Sequence, residues 1–306
     1  MNIGKFTALL SAVLLSTTTH AYQFEAGVSD IEGTTEFDNI GAGTDIEYDS
    51  SSTAFFGTFH FNDVDTSTGP WAEAAFLNKS SSISVVSSDY SNKRSDNDDK
   101  YSSDLKGLGV RGVFGSYFTL EAFITEAKGK DNDNWKYDES VKSIGAGSYI
   151  GKRHQIMGRY TRTESTEKAV NSLGVDEVET DVSVNYKSVL NLGSRQHLSV
   201  IGSVAIFSVD DDEDTVGSEV EFGVVYYPIK NLGIAVASGA RIADDDDIGE
   251  VTTSTLTLGV SYFPIESIGL KVVYTTGETE YDNDNPSITY LDSESTALEL
   301  GIQFRI

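Results

Sequence analysis

Few side chains in this sequence could make or break a covalent bond. The chain has 306 residues, with no cysteine and four histidines. Thiol catalysis, a disulfide framework and zinc–thiolate sites are thereby excluded. His20 falls in a segment that reads as a leader, which leaves His60, His154 and His197, all near short turns. Acid–base catalysis needs a partner held within hydrogen-bond reach, and no Ser-centred nucleophile elbow accompanies them. They are expected at the surface. The acidic runs at 96–99, 210–214 and 244–247 suggest a hard cation. None has the glycine and the closing glutamate that a calcium loop carries at fixed offsets. They read as solvated loop tips, so no cofactor and no metal centre is expected.

What remains is charge placed at every second position. Arg111, Glu121, Arg159, Glu179, Asp181, Lys187, Glu221, Lys271 and Glu299 each sit mid-segment, on the parity opposite to the apolar residues. None of them needs a chemical role. Lined up on one face, they make a wet, charged wall past which ions and polar solutes can move. With Glu25, Glu73, Glu219, Arg241 and Arg305 included, this parity carries eight acidic and six basic residues. The whole chain has a formal net charge of −26, so most of the negative charge belongs to the connecting loops. That balance also argues against nucleic-acid phosphates as a partner.

The elements that must position this wall count in twos. Phe222, Val224 and Tyr226 alternate with Glu221, Gly223 and Val225, and Leu298, Leu300, Ile302, Phe304 and Ile306 alternate with Glu299, Gly301, Gln303 and Arg305. Such alternation gives a strand one apolar and one polar face. Short connections, such as 228–231 and 264–267, take turns with long acidic ones, such as 31–51, 79–104 and 281–291. Counting gives 14 strands, with the second at 52–62, the third at 71–78 and the fourth at 105–114; 12 or 16 strands stay open as alternatives. Tyr227-Pro228-Ile229 followed by Asn231-Leu232-Gly233-Ile234 recurs as Phe263-Pro264-Ile265 followed by Ser267-Ile268-Gly269-Leu270, an offset of 36 residues, the length of one hairpin.

Ahead of the strands, Lys5, an apolar stretch at 6–15 and Thr19-His20-Ala21 have the layout of a secretory signal peptide over 1–21. The rest, 22–306, is expected to be one all-β unit: a closed antiparallel transmembrane barrel. A soluble sandwich would turn its apolar faces inward. Here the polar faces carry charges in mid-strand, which a packed interior would not tolerate. Aromatics including Phe59, Phe61, Trp71, Phe114, Tyr117, Tyr226 and Tyr262 gather beside the short turns, where a membrane interface would place them.

The Tyr-Gln-Phe-Glu segment at Tyr22 to Glu25, Phe59-His60-Phe61-Asn62, the stretch from Val64 to Lys79 containing Thr68-Gly69-Pro70-Trp71, and the last strand together resemble the general porins of marine Gram-negative bacteria. The likeness is sharp over 22–80 and architectural beyond. It implies an outer-membrane barrel with pore activity. One departure is the final residue, Ile306 where such barrels end on an aromatic read by the assembly machinery; Phe304 is the nearest. The resulting expectation is a passive diffusion channel for small hydrophilic solutes and ions, with short periplasmic turns, long external loops and a mild cation preference that fades with salt. The partners would be outer-membrane lipid and lipopolysaccharide, the barrel assembly machinery through the C-terminal strand, and small solutes. Calcium or magnesium would bridge acidic loops and lipopolysaccharide phosphates only loosely, and a homotrimer is the assembly left open. The alternatives are a plugged structural or adhesive barrel, closed for example by an inward fold of 79–104, and, less favoured, a barrel hydrolase.

Overall fold

A computed structural model describes residues 21–37, 46–95, 100–115, 117–131, 135–168, 175–193, 195–210, 215–245, 249–282 and 292–306. The leader, the acidic run at 96–99 and most of the other two runs lie outside the described residues. The strands are β1 (Tyr22–Phe37), β2 (Ile46–Val64), β3 (Ser82–Arg94), β4 (Lys100–Phe114), β5 (Phe118–Asp131), β6 (Lys136–Ile150), β7 (His154–Lys168), β8 (Val175–Asn191), β9 (His197–Asp210), β10 (Thr215–Ile229), β11 (Leu232–Asp245), β12 (Gly249–Ile265), β13 (Ile268–Asp282) and β14 (Ser293–Arg305). Each pairs antiparallel with its sequence neighbours, and β1 closes on β14 from Glu25↔Arg305 to Phe37↔Ser293. The result is a closed barrel of 14 strands. Closure leaves no unpaired edge.

The period-two pattern decides which way the wall faces. On β9, Val204 and Ile206 are 56% and 64% exposed, while Ala205 and Phe207 are 6% and 5% exposed. The same alternation turns Val220 and Phe222 outward on β10 and Leu256, Leu258 and Val260 outward on β12. An apolar exterior around a charged interior is the inverse of a water-soluble fold, and it suits a wall whose outer face meets lipid.

The third strand is corrected. Residues 71–78 form no strand: Trp71–Glu73 is a 3-10 turn and Ala74–Leu77 the short helix α1. The local signals are those of a helix, with Pro70 at its entry, Ala72, Glu73, Ala74 and Ala75 as strong helix formers, and Asn78 at its end. Gly69 at φ 115° bends the chain into it. A short apolar run cannot be assigned by periodicity. The true third strand, Ser82–Arg94, lies where a long loop was expected, because its Ser and Asp residues read as turn formers. Strands elsewhere also run further than expected. β1 and β2 stay paired out to Phe37↔Ile46, which absorbs much of the 31–51 loop. Their outer halves stand in water beyond the apolar belt, where polar side chains carry no penalty and the ladder continues.

The 36-residue repeat has a packing cause. Phe263 on β12 lays its ring across Gly269 on β13, where a Cβ would overlap it, and Tyr227 on β10 covers Gly233 on β11, where a Cβ would lie 2.8 Å from the ring. Glycine at these sites lets an inward aromatic lie flat on the next strand, just after the short turn.

Candidate functional site

At the short-turn end the connection between β2 and β3 crosses the interior. Residues 65–81 turn into the barrel. The Trp71 amide donates to the Lys230 carbonyl at 2.9 Å in the β10–β11 turn. The Trp71 ring meets Phe263 of β12 edge-on at 6.4 Å. Glu73 is the anchor: Lys187 Nζ of β8 lies 2.8 Å from its Oε2, and Tyr227 of β10 donates to its Oε1 at 3.1 Å. Both carboxylate oxygens are thus engaged on a side chain only 4% exposed. Phe76 packs on Tyr149 of β6 at 5.4 Å, its ring lies 5.0 Å from the Lys187 ammonium, and Tyr149 donates to the Phe76 carbonyl at 3.3 Å. Ala74 packs with Tyr22 of β1 and Val64. Contacts to β1, β6, β8, β10 and β12 place the segment across the mouth. Trp71, expected in an outer aromatic girdle, is therefore inside, and the stretch that folds inward is 65–81, not 79–104.

Beyond this segment inward charges gather into two clusters. On the β4–β7 side, Glu121 bonds Arg159 directly and lies 4.0 Å from Arg111. Arg111 also donates to Tyr149 Oη at 2.9 Å and to Gln155 Oε1 at 3.2 Å. On the β8–β11 side, Arg241 donates to both Glu179 oxygens, at 3.0 and 3.4 Å, and lies 3.7 Å from Glu219. Its guanidinium stacks on Phe207, 3.7 Å from the ring centroid. Asp181 and Glu221 stand two residues along from Glu179 and Glu219 on the same faces. The Arg111–Glu121–Arg159 cluster therefore holds two cations and one carboxylate, and the cluster around Arg241 holds four carboxylates and one cation, so the two clusters differ in sign. Further round, Lys271 pairs with Glu299 at 2.6 Å, and Arg305 lies 3.7 Å from Glu25 and 4.2 Å from the Phe263 ring centroid.

All nine charges singled out from the sequence fall on inward faces of the strands. Arg111, Glu121 and Arg159 are gathered into one cluster, and Lys187 and Lys271–Glu299 lie nearer the mouth. Sequence reasoning missed the roles of Glu73, Tyr149, Tyr227, Phe207 and Arg241. The signal for Glu73 was the proline-led, alanine-rich stretch around it. Two histidines also differ from expectation, because the inward segment and turns cover them. His60 is 4% exposed, with Nδ1 3.0 Å from Ser80 Oγ, and His197 is 6% exposed. His154 Nδ1 contacts Tyr186 Oη at 2.8 Å and Ser188 Oγ at 3.0 Å. Among the described residues no group of three or more His, Asp and Glu could hold a metal ion. A cavity of about 60 Å³, room for a few waters, lies against the inward segment between Ala72, Glu73, Lys187, Val225, Tyr227 and Val273.

No protein-family model matches the chain, and none of the curated proteins does. Solved structures do. The Pseudomonas putida toluene transporter TodX aligns at a TM-score of 0.52 and 8% identity, over 98% of this chain and 93% of that one. The translocator domain of the autotransporter NalP from Neisseria meningitidis aligns at 0.50 and 10%, over 99% and 94%. The outer-membrane protein Omp33 of Acinetobacter baumannii aligns at 0.46 and 16%, over 94% and 99%. The fold is that of an outer-membrane β-barrel. At these identities the likeness speaks for architecture and leaves the activity to the interior itself.

Proposed function

We propose that this chain is an outer-membrane channel through which small hydrophilic solutes and ions diffuse passively, with a mild preference for cations. The observation that carries the reading is the interior of the barrel: its side chains are charged, with a local cation cluster at Arg111 and Arg159 and an acidic cluster around Arg241, while the exterior is apolar. A wall of this kind offers a passing ion successive partners in place of its water, which is how selectivity arises in a pore. The excess of carboxylates on the β8–β11 side favours cations through a field that salt screens. The short turns would then face the periplasm and the acidic loops the exterior, after export by the leader. TodX is named a monoaromatic hydrocarbon channel; the charged wall here suits polar cargo instead. No chemical step is proposed. A homotrimer and recognition of β14 by the assembly machinery belong to the same reading.

Residues 65–81 favour one rival reading, a barrel permanently closed for a structural role. Purified protein reconstituted in a planar bilayer under a salt gradient separates the two. Stepwise openings with a reversal potential toward the cation side support the channel. Silence from a barrel that has folded correctly rules it out and leaves the closed barrel.

A further inference from the structure

The outer face carries a second pattern that the interior does not explain. Above the apolar belt, on the loop half of the wall, the outward positions of β3–β7 hold nine cations against five carboxylates, a net of +4. The outward positions of the other nine strands on the same half hold thirteen carboxylates and no cation. In a chain of net charge −26, so complete a separation around one rim sets a single sector apart.

Within that sector the register places like charges face to face. Lys130 of β5 is directly opposite Lys136 of β6, and Lys136 is directly opposite Lys168 of β7. All three are exposed. Lys93 of β3 and Lys100 of β4 are opposed in the same way. Directly opposed like charges on neighbouring strands destabilise a sheet, and any of these lysines could be replaced by the Ser or Thr that the strands use elsewhere. Six residues nearer the belt, Lys142 and Arg162 share the single carboxylate of Glu164, at 2.9 and 3.0 Å. Lys142 is directly across from Ile124, and Arg162 is next but one to the exposed Tyr160. The cations thus begin at the edge of the lipid-facing belt and continue for about 20 Å along the strands away from it, at roughly 3.3 Å per residue.

We propose that the outward face of β4–β7 is a docking surface for the phosphate groups of a phosphorylated glycolipid in the outer leaflet, lipid A and its inner core. An anion held between Lys130, Lys136 and Lys168 turns a repulsive row into a bridged one. A ligand whose acyl chains lie on the belt at Ile124, Ile144 and Tyr160 brings its phosphates to Lys142 and Arg162 first. Continuity of the charged sector with that belt is what favours lipid over a second copy of the chain, whose acidic sector would also be complementary in sign. The proposal rests on the barrel sitting in an outer membrane.

The test uses the full barrel in zwitterionic detergent with EDTA present, and native mass spectrometry to count bound lipid. The probes are lipid A with both phosphates and the same lipid with both removed. The expected result is retention of bisphosphorylated lipid A by the native chain. The Lys142→Gln/Arg162→Gln variant should bind it about tenfold to a hundredfold more weakly, since each cation near an anionic headgroup contributes on the order of a tenfold effect or less. The charge-keeping Lys142→Arg variant should retain it, binding should fall with salt, and the dephosphorylated lipid should bind the native chain as poorly as the Gln variant binds lipid A. Equal binding by the Gln variant, equal binding of the dephosphorylated lipid, or an equal loss in Glu278→Gln/Glu280→Gln on the acidic sector would overturn the proposal. So would a lysine-dependent dimer that ignores lipid, which assigns the sector to a second copy. Conductance of the same preparation keeps the two readings apart: a conducting barrel that ignores lipid A refutes only the docking surface, and a silent barrel that binds it refutes only the channel.

Discussion

Replacing Glu73 by Gln should loosen the segment that closes the barrel. The carboxylate is 4% exposed and its partner Lys187 is 24% exposed, 2.8 Å away. Gln keeps the shape and an oxygen for the Tyr227 hydroxyl but leaves the Lys187 ammonium without its counter-charge. Removing one partner of a fully buried ion pair costs about 3–5 kcal/mol. Lys187 is partly solvated from the lumen, so screening brings the expected loss down to about 2–3 kcal/mol. Each 1.4 kcal/mol is roughly a factor of ten, so the ratio of docked to undocked segment should fall by about a hundredfold. A channel open about 1% of the time would then be open about half of it, by the same arithmetic. Single-channel recording reads this as open probability, with unit conductance setting the width of the cleared pore. Lys187→Met should act in the same direction, and the double variant should add little to either, because the two side chains form one interaction. If Glu73→Gln, Lys187→Met and the double variant all show the native open probability, then this ion pair does not hold the mouth shut, and the reasoning fails.

Three further outcomes follow from the same geometry. Arg241→Gln removes the one cation that bridges Glu179 and Glu219, so the reversal potential under a salt gradient should move further toward the cation limit; a shift toward anions would contradict an acidic cluster at this place in the lumen. Gly269→Val forces a side chain into the Phe263 ring and should cost about 1–3 kcal/mol through overpacking, read as a lower unfolding midpoint in urea, while Gly202→Ala, which meets nothing nearer than 3.8 Å, should change the midpoint far less. Val204→Arg puts a charge on a mid-strand position that is 56% exposed on the outer face; folding into lipid vesicles should weaken by about 2–4 kcal/mol, and Ser203→Arg, one residue along and facing inward, should be tolerated.

The barrel was legible because its evidence is periodic. Strands such as β10, β12 and β14 repeat a two-residue rule over their whole length, and parity alone put Glu221, Lys271 and Glu299 on the inner face. The mouth was not legible, because nothing periodic marks it. Trp71 to Leu77 is too short to show a helical stripe, and its apolar residues satisfy a strand as easily as a helix. What makes Glu73 matter is a lysine 114 positions later and a tyrosine 154 positions later, a coincidence of barrel circumference that no local pattern encodes. The same limit hid the pairing of Arg241, itself on the charged parity, with Glu179 three strands away. In the opposite direction, Ser82–Arg94 shows local turn chemistry overridden by neighbours, since β2 and β4 supply the ladder on both sides.

The placement of the closing segment also orders the assembly of the molecule in time. Its partners are spread over β1, β6, β8, β10 and β12, and those on β10 and β12 come within reach only once the sheet has been brought round. The segment follows β2, so it is made early, yet its anchors on β10 and β12 arrive late. Contacts between residues so far apart in sequence form late, after the loop entropy has been spent on the wall itself. A sheet stalled before its seam zips would trail residues 65–81 as a loose tether with Trp71 and Phe76 bare to solvent, a bait for proteases and chaperones that the finished barrel withdraws from view.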